Sequence, residues 1–371
     1  MGSVFKLKGG KWAIRFDVPG EGRKQKQIGG FLKKAEAEKE LIRIEADILN
    51  GRYFKLSDIS VSDFMELWLA DHVKPNLAPK TYIFYKALFE KHIREYFSQI
   101  KLSDLKANKI EAFYRHLREN STLGTNSIHH CHKTLRASLG CAARWDYINV
   151  SPMTKVTPPK TEKTNAKYWD PDIIPMSIRL FENSLISFHV QLALLTGLRV
   201  GEICALHKDN IDFKKSEIHI VGTAQRVTGQ GIIFKNPKTE ESASILPMTD
   251  DVHRILKSRL LDIKKNKIRN ADIYKKEYDG YLSVFADGSF MEPNYVSGQF
   301  RKILNSQTDI PRIRFHDLRH SCASWLIYNG VDLKSIQEIL RHSDFATTAN
   351  TYSHVSHEIK KKALDTLKLT K

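Results

Sequence analysis

The chain has 371 residues, with 59 Lys and Arg against 42 Asp and Glu, a formal charge of +17 and a pI of about 9.5. This length exceeds one comfortable core and predicts two or three domains. The charge predicts a polyanionic partner, most simply DNA or RNA. An anionic membrane is disfavoured, because the cations are spread along the whole chain without an amphipathic anchor. The apolar runs are too short for a membrane span, and Met1–Lys6 does not open a signal peptide. Cys131, Cys141, Cys204 and Cys322 form no CxxC pair, which predicts buried free thiols in a reduced compartment.

Residues 1–55 read as a small α+β domain. Lys11 to Asp17 alternates as a strand, Val18 to Gly22 is a turn, and Lys24 to Gly29 fits the second strand of a hairpin. A helical pattern follows from Leu32 to about Leu49, with Ala35, Leu41, Ile44 and Ile48 as its apolar positions. Lys11, Arg15, Lys24 and Lys26 would give the hairpin a basic surface suited to a DNA groove, or simply a solvated face.

Residues 56–155 read as all-helical. Helices are expected from Val61 to Leu69, with Ser60 or Ser62 as cap, from Pro79 to about Tyr96, from Leu105 to Leu117, and from Ser127 to Trp145. Their apolar stripes predict a compact bundle. Lys80, Lys133 and Arg136 are candidate DNA contacts on its outer side, with solvated surface cations as the plain alternative. His129-His130-Cys131-His132 is dense, but consecutive positions diverge around a helix, so no metal site is expected. Residues 156–167, rich in Pro, Thr and Lys, read as a linker.

Residues 168–371 form the largest predicted domain, mainly helical with a small antiparallel sheet. A helix could start at Asp170-Pro171-Asp172, and Ile186 to Thr196 is another. Strands are expected at 211–213, 217–221, 231–234 and 244–247. Helices are then expected at Asp250 to about Lys264, Tyr295 to Leu304, His316 to Tyr328, Leu333 to Leu340 and Thr348 to Tyr352.

This last domain carries the chemistry. Side-chain attack on a phosphodiester needs an oxygen nucleophile and cations on the non-bridging oxygens. It also needs a proton for the leaving oxygen and help in removing the nucleophile's own proton. Tyr352 is the candidate nucleophile. Arg199 and Arg319 are planar forks for phosphate oxygens. His316 and Arg319 lie three residues apart, which on one helix would aim both at the same phosphate. Lys238, read as a hairpin-tip lysine, could protonate the leaving oxygen, and His342 lies ten positions before the tyrosine. Glu202, three residues after Arg199, reads as orienting support or as an ordinary surface carboxylate. Singly, each has a plainer role as cap, core filler or surface cation. Six in one ordered series point to a site. There is no nucleotide-binding glycine loop, and no cofactor is expected.

The series Arg199, Lys238, His316-Asp317-Leu318-Arg319, His342, Tyr352 resembles the tyrosine recombinases, the integrases of phages and integrative conjugative elements. Thr196-Gly197-Leu198-Arg199 and Phe315-His316-Asp317-Leu318-Arg319-His320 carry the likeness. The resemblance implies an arm-site-binding domain of three strands and a helix at the N-terminus, a helical core-binding domain and a catalytic domain. It implies a 3′-phosphotyrosyl intermediate on Tyr352, with Arg199, Arg319 and His342 stabilising the pentacovalent state, Lys238 as general acid and His316 assisting proton transfer. It further implies a homotetramer on double-stranded DNA with core and arm-type sites, an excision factor or host DNA-bending protein as accessory, and a bacterial cytoplasmic, nucleoid-associated setting. The family commonly has Leu-Gly-His where this chain has Leu340-Arg341-His342. Arg341 therefore implies an unstrained backbone there, or a tolerated bulky cation able to contact DNA. The rival readings are a type IB topoisomerase-like enzyme and a non-catalytic DNA-binding protein.

Overall fold

The computed structural model describes residues 2–17, 25–49, 59–162, 167–235 and 244–341. The chain divides into two compact units, Met1–Lys163 and Thr164–Lys371.

The first unit begins with an antiparallel sheet in the order β1 (Ser3–Lys6), β2 (Trp12–Asp17), β3 (Gln25–Phe31), followed by α1 (Lys34–Leu49). Strand alternation sends Ile14 and Phe16 inward, where they join Ala37, Leu41 and Ile44 of the helix in a small buried core. The opposite face carries a row of Ser3, Arg15 and Gln27, set by register. Arg15 Nη2 donates to Gln27 Oε1 at 3.2 Å, and its guanidinium lies 4.9 Å from the Phe5 ring centroid. Lys11, Arg15 and Lys26 are exposed, and Lys24 lies outside the described residues. The third strand, implied by resemblance, is β1.

The helical part follows. α2 (Val61–Trp68) runs through a π-helical turn (Leu69–Val73) into α3 (Lys74–Asn76). α4 (Pro79–Leu88) runs through a second π turn (Phe89–Ile93) into α5 (Arg94–Phe97). α6 (Ala107–Asn120) and α7 (Thr125–Arg144) complete it. Ser60 is the cap of α2, its hydroxyl accepting from the Asp63 amide at 3.0 Å, while Ser62 donates to the Arg94 carbonyl at 2.6 Å. Phe64, Trp68, Phe89, Phe97, Phe113, Leu135 and Leu139 fill the core. Each of these large buried side chains contributes roughly 1.5–3 kcal/mol to its stabilisation. Lys80, Lys133 and Arg136 are exposed. The clustered histidines take separate partners. His132 Nδ1 meets Tyr114 Oη at 2.8 Å, His129 Nδ1 meets the Pro159 carbonyl at 3.0 Å, and His130 lies edge-on to Phe84.

The second unit is built around α9 (Ser187–Thr196), whose Phe188, His189, Val190, Leu192, Ala193 and Leu194 are all buried. A helix apolar all round must be surrounded. α8 (Ile173–Phe181), α10 (Val200–Cys204), α11 (Asp250–Arg269) and α13 (Leu318–Tyr328) pack against it. α12 (Pro293–Asn305) and α14 (Leu333–Leu340) complete the helices of this unit among the described residues. The strands form two small antiparallel sheets. β4 (Ile211–Asp212), β5 (Glu217–Ile220) and β8 (Ser244–Pro247) pair in that order, and β6 (Thr223–Val227) pairs with β7 (Gly231–Lys235).

Among the described residues β7 and β8 belong to different sheets. Lys238, expected at a hairpin tip between them, lies outside the described residues. All four cysteines are buried and free. Among the described residues no helix is long and apolar enough to cross a membrane, and no group of three His, Cys, Asp or Glu could hold a metal.

Candidate functional site

The site starts at the end of α9. Gly197 caps the helix in the left-handed conformation, at φ 64°. A Cβ there would lie 2.4 Å from Leu340 Cδ2, so the position needs glycine for conformation and for space. The turn delivers Arg199 to the N-cap of α10. Its backbone amide donates to Glu202 Oε2 at 2.9 Å and its Nη1 to Glu202 Oε1 at 2.7 Å, so the carboxylate turns back to cap the first turn of α10. The Arg199 side chain keeps 43% of its surface exposed. Gly201 seats α10 against the sheet, since a Cβ would fall 2.3 Å from Thr223 Oγ1.

Glu202 also accepts from Arg341 Nη2 at 2.8 Å. Burial pushes the Glu202 carboxyl up, but Arg341 and then Arg199 outweigh it and hold it below the ordinary carboxylate range. Glu202 is therefore ionised and shared by two arginines.

The His-x-x-Arg motif departs from the expected single helix. Phe315–Asp317 is a 3₁₀ turn, and α13 begins only at Leu318. His316 lies in the turn and keeps part of its surface exposed, while Arg319, in α13, is buried. The turn is held by Asp317, fully buried, which accepts from the Arg314 amide at 2.8 Å and from Arg314 Nη2 at 2.8 Å. Arg314-x-x-Asp317 thus repeats the local design of Arg199-x-x-Glu202, an acid three positions on turning back to cap. That spacing was a readable signal for Asp317. Ser321, one turn further, accepts from the Trp169 amide at 2.9 Å, and no local pattern announced that contact.

Arg319 is 2% exposed. Its Nη1 donates to the Gly197 carbonyl at 2.7 Å and its Nη2 to the Leu340 carbonyl. Both carbonyls end helices, where partial negative charge gathers. Around His316, burial and then the charge of Arg319, with a smaller share from Arg199, hold the imidazolium below its usual pKa. The ring is neutral near pH 7, fit to accept a proton. Arg199, more than a hundred positions earlier in the chain, and Arg319 thus both bring their charge to bear on His316.

Arg341 corrects the expectation of an unstrained backbone. It terminates α14 at φ 56° and ψ 48°, the left-handed conformation that glycine adopts freely and that costs another residue on the order of 1 kcal/mol. Its side chain folds back onto Glu202 and the Ile339 carbonyl, with 15% of its surface exposed. Burial lowers its pKa, partly opposed by Glu202. Lys238, His342 and Tyr352 lie outside the described residues.

Two arginines held at one helix end beside a neutral histidine suit an attack on phosphate, and comparison with known proteins agrees. The chain belongs to the phage integrase family, whose model matches residues 166–358. A phage integrase N-terminal SAM-like domain matches residues 60–118, and an arm DNA-binding domain matches residues 3–48. A XerC-like tyrosine recombinase of Caldanaerobacter subterraneus subsp. tengcongensis is 27% identical, over 91% of this chain and 90% of that protein. The ICEBs1 integrase of Bacillus subtilis is 26% identical, over 98% of this chain and 99% of its own length. Among solved structures, the Tn1549 transposon integrase in complex with a circular intermediate DNA shares the fold. Its TM-score is 0.66 at 19% identity, covering 82% of this chain and 99% of that one. The protein is a tyrosine-type site-specific recombinase, an enzyme that cuts and rejoins DNA.

Proposed function

We propose that Tyr352 is the nucleophile of this integrase and that Arg199, Lys238, His316, Arg319 and His342 complete the catalytic set, with Glu202 in support. Tyr352 Oη attacks the scissile phosphorus and the bond to the 5′ oxygen breaks. The enzyme is left joined to the 3′ phosphate, with a free 5′ hydroxyl. Arg199, Arg319 and His342 neutralise the pentacovalent state. Lys238 protonates the leaving oxygen and His316 takes up the tyrosine proton. The 5′ hydroxyl of a partner strand then attacks the phosphotyrosine, which reseals the backbone without an external energy source.

In this reading residues 1–55 bind arm-type sites, 56–155 bind the core site, 156–167 link and 168–371 catalyse. The partner is double-stranded DNA. Lys11, Arg15, Lys24, Lys26, Lys80, Lys133 and Arg136 contact its phosphates or groove edges. Four copies act together on two sites, inside a bacterial cell at the nucleoid, to integrate and excise a mobile element. An excision factor or a host DNA-bending protein is the accessory partner this reading allows. The observation that carries this reading is the meeting of Arg199, Arg319 and His316 around the Gly197 turn.

The test is a covalent trap. Nicked duplexes carrying the junctions that flank the gene are mixed with the protein and denatured. A protein–DNA adduct on the 3′-phosphate side, lost in Tyr352→Phe while DNA binding persists, supports the assignment. An adduct that survives Tyr352→Phe, or binding to verified target DNA without any adduct, overturns it.

A further inference from the structure

The end of α14 is fastened at three points. The Leu340 carbonyl accepts from Arg319, the Leu340 side chain covers Gly197, and Arg341 reaches Glu202. The third link joins residues 139 positions apart and is the most enclosed of the site's ion pairs, with side-chain exposures of 15% and 12%. Glycine at 341 would adopt the left-handed backbone freely and supply no such link. Here a strained arginine holds the same turn and adds an ion pair to the carboxylate that orients Arg199.

We propose that Arg341 is a positioning residue for DNA cleavage. Through Glu202 it fixes the orientation of the Arg199 guanidinium, and it ties the chain immediately before His342 to the N-terminus of α10. This rests on the reading of Arg199 and His342 as site residues. Three features support it. The Arg341 guanidinium is turned inward, with Nη2 on Glu202 and Nη1 on the Ile339 carbonyl at 3.2 Å, so it is aimed at protein and away from solvent. Glu202 divides its oxygens, Oε1 to Arg199 alone and Oε2 to both the Arg199 amide and Arg341. Withdrawing Arg341 therefore changes the load on the oxygen that anchors the Arg199 backbone. Finally, the contact needs one donor on Glu202, a geometry that a lysine ammonium can also satisfy.

Two measurements on the full-length protein test it. The first needs no DNA. Thermal unfolding of the parent, R341G, E202Q and the double variant R341G/E202Q forms a double-mutant cycle. The strut requires the double variant to lose clearly less than the sum of the single losses. Additive losses overturn it. The second is single-turnover cleavage of the nicked junction duplexes, with binding measured on the same DNA. R341G is expected to bind within about twofold of the parent and to cleave on the order of 10- to 100-fold more slowly. R341K, retaining a cation for Glu202, should recover much of that rate. R341G cleaving at the parent rate overturns the proposal. So does weaker binding with a salt dependence shallower by about one phosphate contact, which would make Arg341 a DNA ligand instead. A parent protein that forms no adduct refutes the nucleophile assignment above, whereas an uncoupled thermal cycle refutes the strut, so the two failures are told apart.

Discussion

Arg319 Nη1 donates to the carbonyl of Gly197 at 2.7 Å, joining two motifs that lie 122 positions apart in the chain. The bond makes the glycine turn part of the arginine's setting. Gly197→Ala combines a positive φ with a Cβ 2.4 Å from Leu340 Cδ2. It should destabilise the catalytic unit by about 1–3 kcal/mol, read as a lower urea midpoint, and slow cleavage more than it weakens DNA binding. An alanine variant with parent stability would show that the turn relaxes at no cost.

Arg319→Lys keeps the charge and loses the fork. One ammonium on a flexible stem cannot hold the carbonyls of Gly197 and Leu340 as the planar guanidinium does. Cleavage should fall by about 100-fold or more while binding to junction DNA stays close to the parent. Gel-shift titration and single-turnover cleavage on the same duplex separate the two effects. Parent-like cleavage would remove Arg319 from the site.

Much of this architecture was legible because the sequence speaks plainly where one face is buried. The apolar stripes of α2, α6 and α7 and the largely apolar run of α9 needed no tertiary information. Arg199 with Glu202 was legible as a local pair, and the two are bonded. β1 was not, since Ser3–Lys6 is a four-residue edge strand with no fully buried residue. β6 was not, since Thr223, Gln225 and Arg226 interrupt its apolar pattern. The reach of Arg341 to Glu202 depends on a backbone conformation that the residue type argues against, and nothing local predicts a contact across 139 positions. The 3₁₀ start at Phe315 places His316 in a turn ahead of α13, held by the buried Asp317, and that cap was visible only as an unread spacing.

A pH prediction comes from His189. The ring is fully buried, its Nε2 lies 2.8 Å from Ser283 Oγ, and Ser283 in turn donates to the Met291 carbonyl. Burial, and then the nearby Arg259 charge, push its pKa from 6.5 down to about 3. The folded state holds the ring neutral while the unfolded chain takes a proton first. This contribution is therefore complete above pH 6.5 and is lost as pH falls toward 3. The slope is up to about 1.4 kcal/mol per pH unit. Urea unfolding at pH 7.5 and 5 should show the loss, and His189→Gln should flatten it even if the variant is less stable throughout. An equal pH slope in the variant would assign the acid sensitivity elsewhere.

Arg15 allows a test of the N-terminal sheet. It is exposed, its guanidinium donating to Gln27 and lying against the Phe5 ring, so Arg15→Ala should change stability by no more than about 1 kcal/mol. If the open face of the sheet meets phosphate, binding to arm-type DNA should weaken and its salt dependence should fall by about one contact, with core-site cleavage retained. Unchanged binding and salt dependence would mark the sheet as a folding appendage.

The two π turns set the helical part of the first unit a strict rule of length. In each, an amide reaches back five residues instead of four, Lys74 to Leu69 and Arg94 to Phe89. Each helix therefore carries one residue more than a regular coil would use. Deleting that residue would restore the ordinary ladder of bonds and swing everything beyond it by roughly 100°. Phe97 would then turn out of the core, and Arg94 would leave Glu66 and Glu90. These helices can change many of their letters, but neither can be shortened by one.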